Sequence, residues 1–468
     1  MKVQQLYTGC LAEAAYYISS EGEAAIIDPL RDPTPYLEMA RADGATIKYV
    51  LETHFHADFV SGHLDLARKT GAQIVYGPTA LPDFEAHVAT DGEVLPLGKV
   101  QIKVLHTPGH TLESVTYLLL DEAGREVAIF TGDTLFIGDV GRPDLAVKTD
   151  LTREDLAGHL YDSLRHKIMP LPDGVIVYPG HGAGSACGKN MSKETVDTLG
   201  HQKQVNYALQ ADLSRRAFMA AVTADLVAPP QYFPQNAMLN RKGYDSLESV
   251  LKKGLNALDV ATFVRHRAHY DTLVLDTRSK EAFAQAHIPG SLFLGLDDNF
   301  ASWAGALIPD LQQPLVFIAD AGREEEVVTR LSRVGHDNTL GYLKGGLVSW
   351  QNAGYATDRI DETTAAAFAQ HYHEGMQLLD VRKASEYQSQ HVAGARNVPL
   401  ASIFQSLTQL DPSATYYLHC QGGYRSMVAA SILRAKCFGH VVNITGGFNA
   451  LRQTAVPLTA YHEPVTQL

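Results

Sequence analysis

Thr53-His54-Phe55-His56-Ala57-Asp58-Phe59 constrains this chain more than any other stretch. Imidazole and carboxylate side chains crowded into so few positions converge on a metal ion only if the backbone turns sharply there. The apolar run 47–51 predicts a strand entering that turn, and residues 63–68 predict a helix leaving it. Phe59 stands where one more imidazole would complete a second metal position, and a phenyl ring has no lone pair to donate. The loop reads as built for one metal rather than two.

Three further loops complete the pattern, each after a strand-like run. His106-Thr107-Pro108-Gly109-His110-Thr111 follows the alternating segment 100–105. Thr131-Gly132-Asp133-Thr134 follows the apolar segment 127–130, and Pro179-Gly180-His181-Gly182 follows 175–178. A lone His beside Gly is usually a turn residue. Four loops in series, each carrying His or Asp at the end of a strand, point to a metal site.

This series resembles the metallo-β-lactamase superfamily, and within it the persulfide dioxygenase branch, over about the first half of the chain. The resemblance implies an αββα fold and one ferrous iron, Fe(2+), per chain, held by His54, His110 and Asp133. Two imidazoles and a carboxylate on one face of iron leave open positions for dioxygen and a sulfur substrate. His56, Asp58, His181 and Arg142 are then expected around the ligands, hydrogen-bonding to them or steadying the substrate. The competing reading makes His56, Asp58 and His181 zinc ligands of a thioester hydrolase of the glyoxalase II kind. Phe59 weighs against it.

A chain of 468 residues divides into roughly three domains of about 100–200 residues each. The net charge of −13 and pI near 5.8 speak against nucleic acid and anionic membrane surfaces as partners. No apolar run approaches the roughly 20 residues of a membrane span. The first residues lack the apolar core of a signal peptide and read as a strand. Four scattered cysteines make no disulfide framework, so a cytoplasmic location is expected, as is a homo-oligomer. Helical periodicity over 192–226 and the segment Pro229-Pro230-Gln231-Tyr232-Phe233-Pro234 close a first domain, 1–245. That aromatic segment is either a linker or a strip packing its rings along the mouth of the metal site.

An internal repeat fills the remainder. Leu275-Asp276-Thr277-Arg278, then Glu281, Phe283 and His287-Ile288-Pro289-Gly290, matches Leu379-Asp380-Val381-Arg382, then Glu386, Tyr387 and His391-Val392-Ala393-Gly394. Each unit ends near a glycine pair, Gly345-Gly346 or Gly446-Gly447. Strands alternating with helices predict parallel sheets, and both units, 246–357 and 358–468, resemble rhodanese domains. The whole is expected to be an α/β protein: an N-terminal αββα metallo-β-lactamase fold, then two α/β rhodanese-like domains.

Only the second unit carries a nucleophile. Cys420-Gln421-Gly422-Gly423-Tyr424-Arg425-Ser426 sits between a strand and a helix. Its two glycines let successive amides turn toward the sulfur, and the helix points its positive end at the same place. These dipoles, with Arg425 if it turns inward, should favour the thiolate and cradle a persulfide. Gln421, Gly422, Gly423, Tyr424 and Ser426 form the expected cradle. The matching loop of the first unit has Asp320 in place of the cysteine and three glutamates, Glu324 to Glu326, so it is expected to be silent.

The domain order resembles a bacterial persulfide dioxygenase–sulfurtransferase fusion. The resemblance implies that the iron domain oxidises a low-molecular-weight persulfide with O2 to sulfite and thiol. Cys420 then hands a sulfane sulfur to sulfite, giving thiosulfate. Cys187, just after His181, is either a small residue in a tight turn or a third catalytic group that relays sulfur, with Lys189 favouring its thiolate. Cys10, assigned to the first strand, reads as structural. A sulfur carrier or persulfide sensor with a vestigial metal domain is a third functional class, disfavoured by intact metal ligands.

Overall fold

A computed structural model describes residues 1–146, 151–269 and 271–463, so the last residues of the 358–468 unit lie outside the described residues. The first half of the chain is a sandwich of two six-stranded sheets, each with its strands in sequence order. The first contains Lys2–Thr8, Glu13–Ser20, Glu23–Ile27, Thr46–Leu51, Gln73–Tyr76 and His87–Val88. The second contains Val94–Leu97, Val100–His106, Val115–Leu120, Glu126–Gly132, Ile176–Pro179 and Asp197–Thr198.

Strand periodicity distributes the side chains between layers. Ala14, Tyr16 and Ile18 face the space between the sheets, where they meet Val104, Tyr117 and Phe130. Their neighbours Ala15 and Tyr17 face outward, under Tyr36, Ala40 and Leu66 of the helices Thr34–Ala42 and His63–Thr70. On the far side Leu118, Ile129 and Val177 pack beneath Ala157, Leu160 and Phe218. The result is the αββα arrangement. Within 192–226 the periodic stretch resolves into two short helices, Leu199–Val205 and Arg215–Thr223, each started by a hydroxyl cap from Thr198 or Ser214. Cys10 lies beyond the first strand, in the turn after Thr8, because the strand pairing ends at Thr8 and Glu13.

The second half has two five-stranded sheets, all parallel, with one topology used twice. Ala257–Leu258, Thr339–Leu343, Leu315–Ile318, Leu273–Asp276 and Leu292–Phe293 lie side by side in that order. Asp361–Thr364, His440–Thr445, Thr415–His419, Gln377–Asp380 and Arg396–Asn397 repeat it. Central strands such as Leu315–Ile318 are buried along their whole length, as expected where helices cover both faces. The repeat extends to side chains. Arg278 forks onto Asp276 and Arg382 onto Asp380, while Phe283 stacks on His287 and Tyr387 on His391.

By compactness the chain separates into two units, Met1–Leu247 with Ser332–Gly335, and a second that contains both parallel sheets. Within the second unit, Phe293 N–H donates to Ser431 Oγ and Arg434 forks onto Asp358. Among the described residues, no helix is long and apolar enough to cross a membrane.

Candidate functional site

His54 sits just beyond the strand Thr46–Leu51, and its ring is oriented by a short chain of hydrogen bonds. Asp28, itself at a positive φ of 48°, accepts from Thr53 N at 2.7 Å and Thr53 Oγ1 at 2.8 Å. With its proton committed to Asp28, Thr53 Oγ1 accepts from His54 Nδ1 at 3.0 Å. His54 Nε2 therefore carries the lone pair. His110 is set the same way: Nδ1 donates to Arg142 O at 2.9 Å, leaving Nε2 3.3 Å from Asp133 Oδ2. His54 Nε2 lies 3.9 Å from the same oxygen. Close packing fixes the loops. A Cβ on Gly109, at φ +152°, would fall 2.4 Å from Leu160 Cα, and one on Gly132, at φ +47°, would fall 2.4 Å from Thr53 Oγ1.

The ligand atoms of His54, His110 and Asp133 lie within 4.8 Å of one another, all buried. Asp133 Oδ2 has no hydrogen-bond partner in the protein. Burial would raise the Asp133 carboxyl, yet His181 and His110 hold it far below the usual carboxylate range. Three inward lone pairs, one on an orphaned buried carboxylate, fit a divalent metal. Burial and the neighbouring His56 also keep His54 well below the usual imidazole range, the neutral form a metal requires.

His181 stands beside this trio and uses both nitrogens otherwise. Nδ1 meets Asp133 Oδ1 at 2.7 Å and Nε2 meets Asp58 Oδ2 at 2.8 Å. Both nitrogens must donate, so the ring is an imidazolium. Burial opposes that charge, and the two carboxylates overcome it. His56 turns away from the trio, toward Asp28 at 3.0 Å and Glu52 at 3.6 Å. Against the burial penalty, Asp28 pushes His56 up to about 9. Phe59 is fully buried with its ring 4.4 Å from that of His56.

Arg142 differs from its expected place near a substrate. Its guanidinium forks onto Asp144 and also reaches Ala186 O and Val227 O, so its contribution to the trio is the carbonyl that holds His110. Cys187 also has a setting opposite to a thiolate-promoting one. Lys189 Nζ donates to Ala221 O and Ala224 O, while burial, Asp58 and Asp133 push the Cys187 thiol well up. The aromatic segment packs inward: Tyr232 is buried, and its hydroxyl feels Asp58 and Cys187.

Two groups escaped the sequence reading. Asn240 on the helix Phe233–Lys242 donates to His56 O and Phe59 O, both at 2.7 Å, and accepts from Ser61 N at 2.9 Å. It pins the metal loop from behind, and nothing in its neighbourhood in sequence marks it. Glu13 is buried with neither carboxylate oxygen bonded, and burial raises it well above the usual range. Its strand position gave no chemical signal, because its polar neighbours come from distant loops.

In the second unit Cys420 directly follows the strand Thr415–His419, and the helix Tyr424–Ala435 starts four residues on. Gly423 N–H donates to Cys420 Sγ at 3.1 Å, and Ser426 Oγ lies 3.7 Å from the sulfur. Gly423 has φ +105°, the left-handed turn that aims this amide. Arg425 is forked onto Glu386 at 2.6 and 2.9 Å rather than free. Gln421 links Arg382 and Asn449 beside the sulfur. The Tyr424 hydroxyl donates to Gly295 O at 3.1 Å, so its side chain braces the neighbouring repeat instead of lining the cradle. In the first repeat Asp320 is exposed, and Gly322 N–H donates to Glu324 Oε2 at 2.8 Å.

Residues 8–181 match the metallo-β-lactamase superfamily, and residues 259–353 and 364–454 each match the rhodanese-like domain. A crystal structure of a metallo-β-lactamase from Staphylococcus aureus subsp. aureus COL is 32% identical with a TM-score of 0.63, covering 74% of this chain and 98% of its own. The hydroxyacylglutathione hydrolase GloC of Haemophilus influenzae is 31% identical over 36% of this chain and 84% of its own. Human mitochondrial persulfide dioxygenase ETHE1 is 31% identical over 34% of this chain and 59% of its own. Other curated relatives are hydroxyacylglutathione hydrolases, and the chain spans 66% of one from Schizosaccharomyces pombe and 57% of one from Rhodospirillum rubrum.

Proposed function

From the premise that the chain belongs to the metallo-β-lactamase superfamily and carries two rhodanese-like domains, we propose that it is a persulfide dioxygenase joined to a sulfurtransferase. The overall conversion is RSS⁻ + O2 + H2O → RSH + SO3²⁻ + H⁺. One observation carries the reading. His54, His110 and Asp133 offer donor atoms to one point, while His181 is tied through both nitrogens to Asp133 and Asp58. A ferrous ion held by that trio would supply open positions and redox chemistry for dioxygen and a sulfur substrate. The protein's part is to set the tautomers of His54 and His110 through Thr53 and Arg142 O, and to keep Asp133 ionised through His181. Asp58, together with Tyr232, whose buried hydroxyl feels it, is assigned to orient the incoming persulfide.

The second step is assigned to Cys420. Attack of its thiolate on the sulfane sulfur of RSS⁻ gives Cys–S–S⁻ and RS⁻. Sulfite then takes that sulfur, giving S2O3²⁻ and restoring the thiolate. Gly423 N–H and the N-terminus of the helix Tyr424–Ala435 stabilise the anionic sulfur throughout.

The test is oxygen consumption with a panel of persulfides, with products trapped and metal content measured on the same sample. About one iron per chain, sulfite and thiosulfate are expected. Asp133→Ala should remove the metal and the oxygen uptake while leaving sulfur transfer to added sulfite. The hydroxyacylglutathione hydrolase relatives favour a second reading, a zinc thioester hydrolase. Two tightly bound zinc ions with thioester turnover and no oxygen uptake would establish that alternative.

A further inference from the structure

The first compact unit is not one stretch of chain: residues 1–247 are completed by Ser332–Gly335. These four residues lie inside the segment 259–353 that matches the rhodanese-like domain. Ser332 ends the helix Glu324–Ser332. Gly335, at φ +84°, turns the chain back so that its N–H donates to Ser332 O at 3.1 Å. This turn meets the metal loop. Val60, directly after Phe59, donates its N–H to Arg333 O at 2.7 Å. Arg31 is fully buried and donates to Ser332 O at 2.9 Å and to Asp245 O at 2.7 Å. Its guanidinium lies 4.6 Å from the centre of the Tyr244 ring. We propose that the turn Ser332–Gly335 positions the metal loop, that Arg31 holds the turn in place, and that this brace is a contribution of the first rhodanese-like repeat to the metal site. The inference rests on the reading of His54, His110 and Asp133 as a metal site, not on the reaction that the metal serves.

The exit of the loop shows why the contact matters. Val60 and Ser61 are buried, so each N–H needs an acceptor inside the protein. Ser61 N–H has Asn240 Oδ1 at 2.9 Å, and Ser61 O accepts from the Tyr244 hydroxyl. Gly62 N–H donates to Pro29 O at 2.8 Å, and a Cβ on Gly62 would fall 2.2 Å from Leu30 O. Residues 61 and 62 are thus fixed by partners within 1–247, whereas Val60 is fixed by the turn. Ser332 O stands at the negative end of its helix, a favourable place for a cation. A buried guanidinium persists only when its donors are met. Arg31 and the turn therefore hold one another, and the turn holds the backbone that continues into Phe59 and Asp58.

The experiment uses the full chain and two readouts, hydrogen exchange in peptides covering residues 54–61 and release of the bound divalent metal to a chelator. Arg31→Met removes both donors, Arg31→Lys keeps the charge, and Gly335→Val strains the turn without touching Arg31. Leu118→Ala, in the core on the far side of the second sheet, supplies general destabilisation. Arg31→Met and Gly335→Val should each exchange about ten-fold faster over 54–61, the scale of one lost charge-assisted hydrogen bond, and release metal faster. Arg31→Lys should recover part of the protection, and Leu118→Ala should leave the loop as in the parent. Unchanged exchange over 54–61 in both Arg31→Met and Gly335→Val would overturn the brace. So would an equal loss of protection in Leu118→Ala. Exchange needs no bound metal, so a parent chain that held none would sink the metal-site reading while the brace was still decided by the exchange rates. Where Gly335→Val does not fold, Gly335→Ala takes its place with the same expected direction.

Discussion

The two rhodanese-like repeats share a strand order, an Asp–Arg fork and an aromatic–His stack, yet their loops spend their amides differently, at adjacent positions of the turn. After the strand Thr415–His419 a loop amide is left for a sulfur: Gly423 N–H reaches Cys420 Sγ at 3.1 Å. After the strand Leu315–Ile318 the loop closes on itself, with Gly322 N–H held by Glu324 Oε2 at 2.8 Å. Charge follows the same division. Arg425 is positive beside Cys420 and balanced by Glu386, whereas the first loop pairs Arg323 with Asp297 and Glu326 and begins its helix with three glutamates. The two loops differ in more than the cysteine. The first loop also ties up the Gly322 amide, the counterpart of Gly422, and surrounds it with negative charge.

The largest test of that contrast is Cys420→Ser. Sulfur transfer to sulfite should fall to background while oxygen uptake persists, because a hydroxyl is far too weak an acid to carry a sulfane sulfur. Asp320→Ala should change neither. If Cys420→Ser abolished oxygen uptake with metal content intact, the two activities would not be separable as argued.

A smaller effect is expected from restoring the thiol alone. Asp320→Cys should remain without sulfur transfer, because Glu324 still holds the Gly322 amide. Adding Glu324→Ala should raise the alkylation rate of the new thiol several-fold. Equal rates in the single and double variants would show that the carboxylate cap is irrelevant.

Glu386→Gln probes the charged pair. The fork to Arg425 is partly shielded, and losing it should cost about 1–2 kcal/mol in denaturant unfolding. Burial raises the Glu386 carboxyl, but the Arg425 hydrogen bond and charge bring it below the ordinary glutamate range. The folded state thus has the lower pKa. The stabilisation is complete above the unfolded-state value and disappears as pH falls through the folded-state one. The stability gap between parent and Glu386→Gln should close in acid, and a constant gap from neutral to acid pH would contradict the assignment. The smallest expected change is Tyr424→Phe. Removing the donor to Gly295 O should lower stability by about 1 kcal/mol and leave sulfur transfer intact. A large loss of transfer would return Tyr424 to the cradle.

What could be read from the chain follows from distance along it. The loops bearing His54, His110 and Asp133 each end a strand with strong apolar periodicity, so both the strand and the nearby ligand candidate are visible locally. The tandem repeat is legible for the same reason, since Asp276 and Arg278 recur as Asp380 and Arg382 at one spacing. Partnerships across long separations are not legible. His181 bridging Asp58 and Asp133, Asn240 holding the carbonyls of His56 and Phe59, and Lys189 turning to Ala221 and Ala224 all depend on how loops meet in space. At Phe59 the missing imidazole is visible in sequence, whereas the Cys187 sulfur beside Asp58 is not.

The reach of Asn240 has a practical consequence for anyone who would isolate the metal-bearing part of this chain. The region that matches the superfamily ends at residue 181, and a fragment cut there would keep both sheets' central strands. It would also discard Tyr232, whose buried hydroxyl feels Asp58 and Cys187, and Asn240, whose amide ties down the metal loop. Such a fragment would retain every residue of the ligand trio and lose the clamp that keeps their loop in shape. The metal-bearing unit is therefore longer than its signature: it runs to Leu247 and also takes in Ser332–Gly335, so even a boundary at Leu247 would remove part of it.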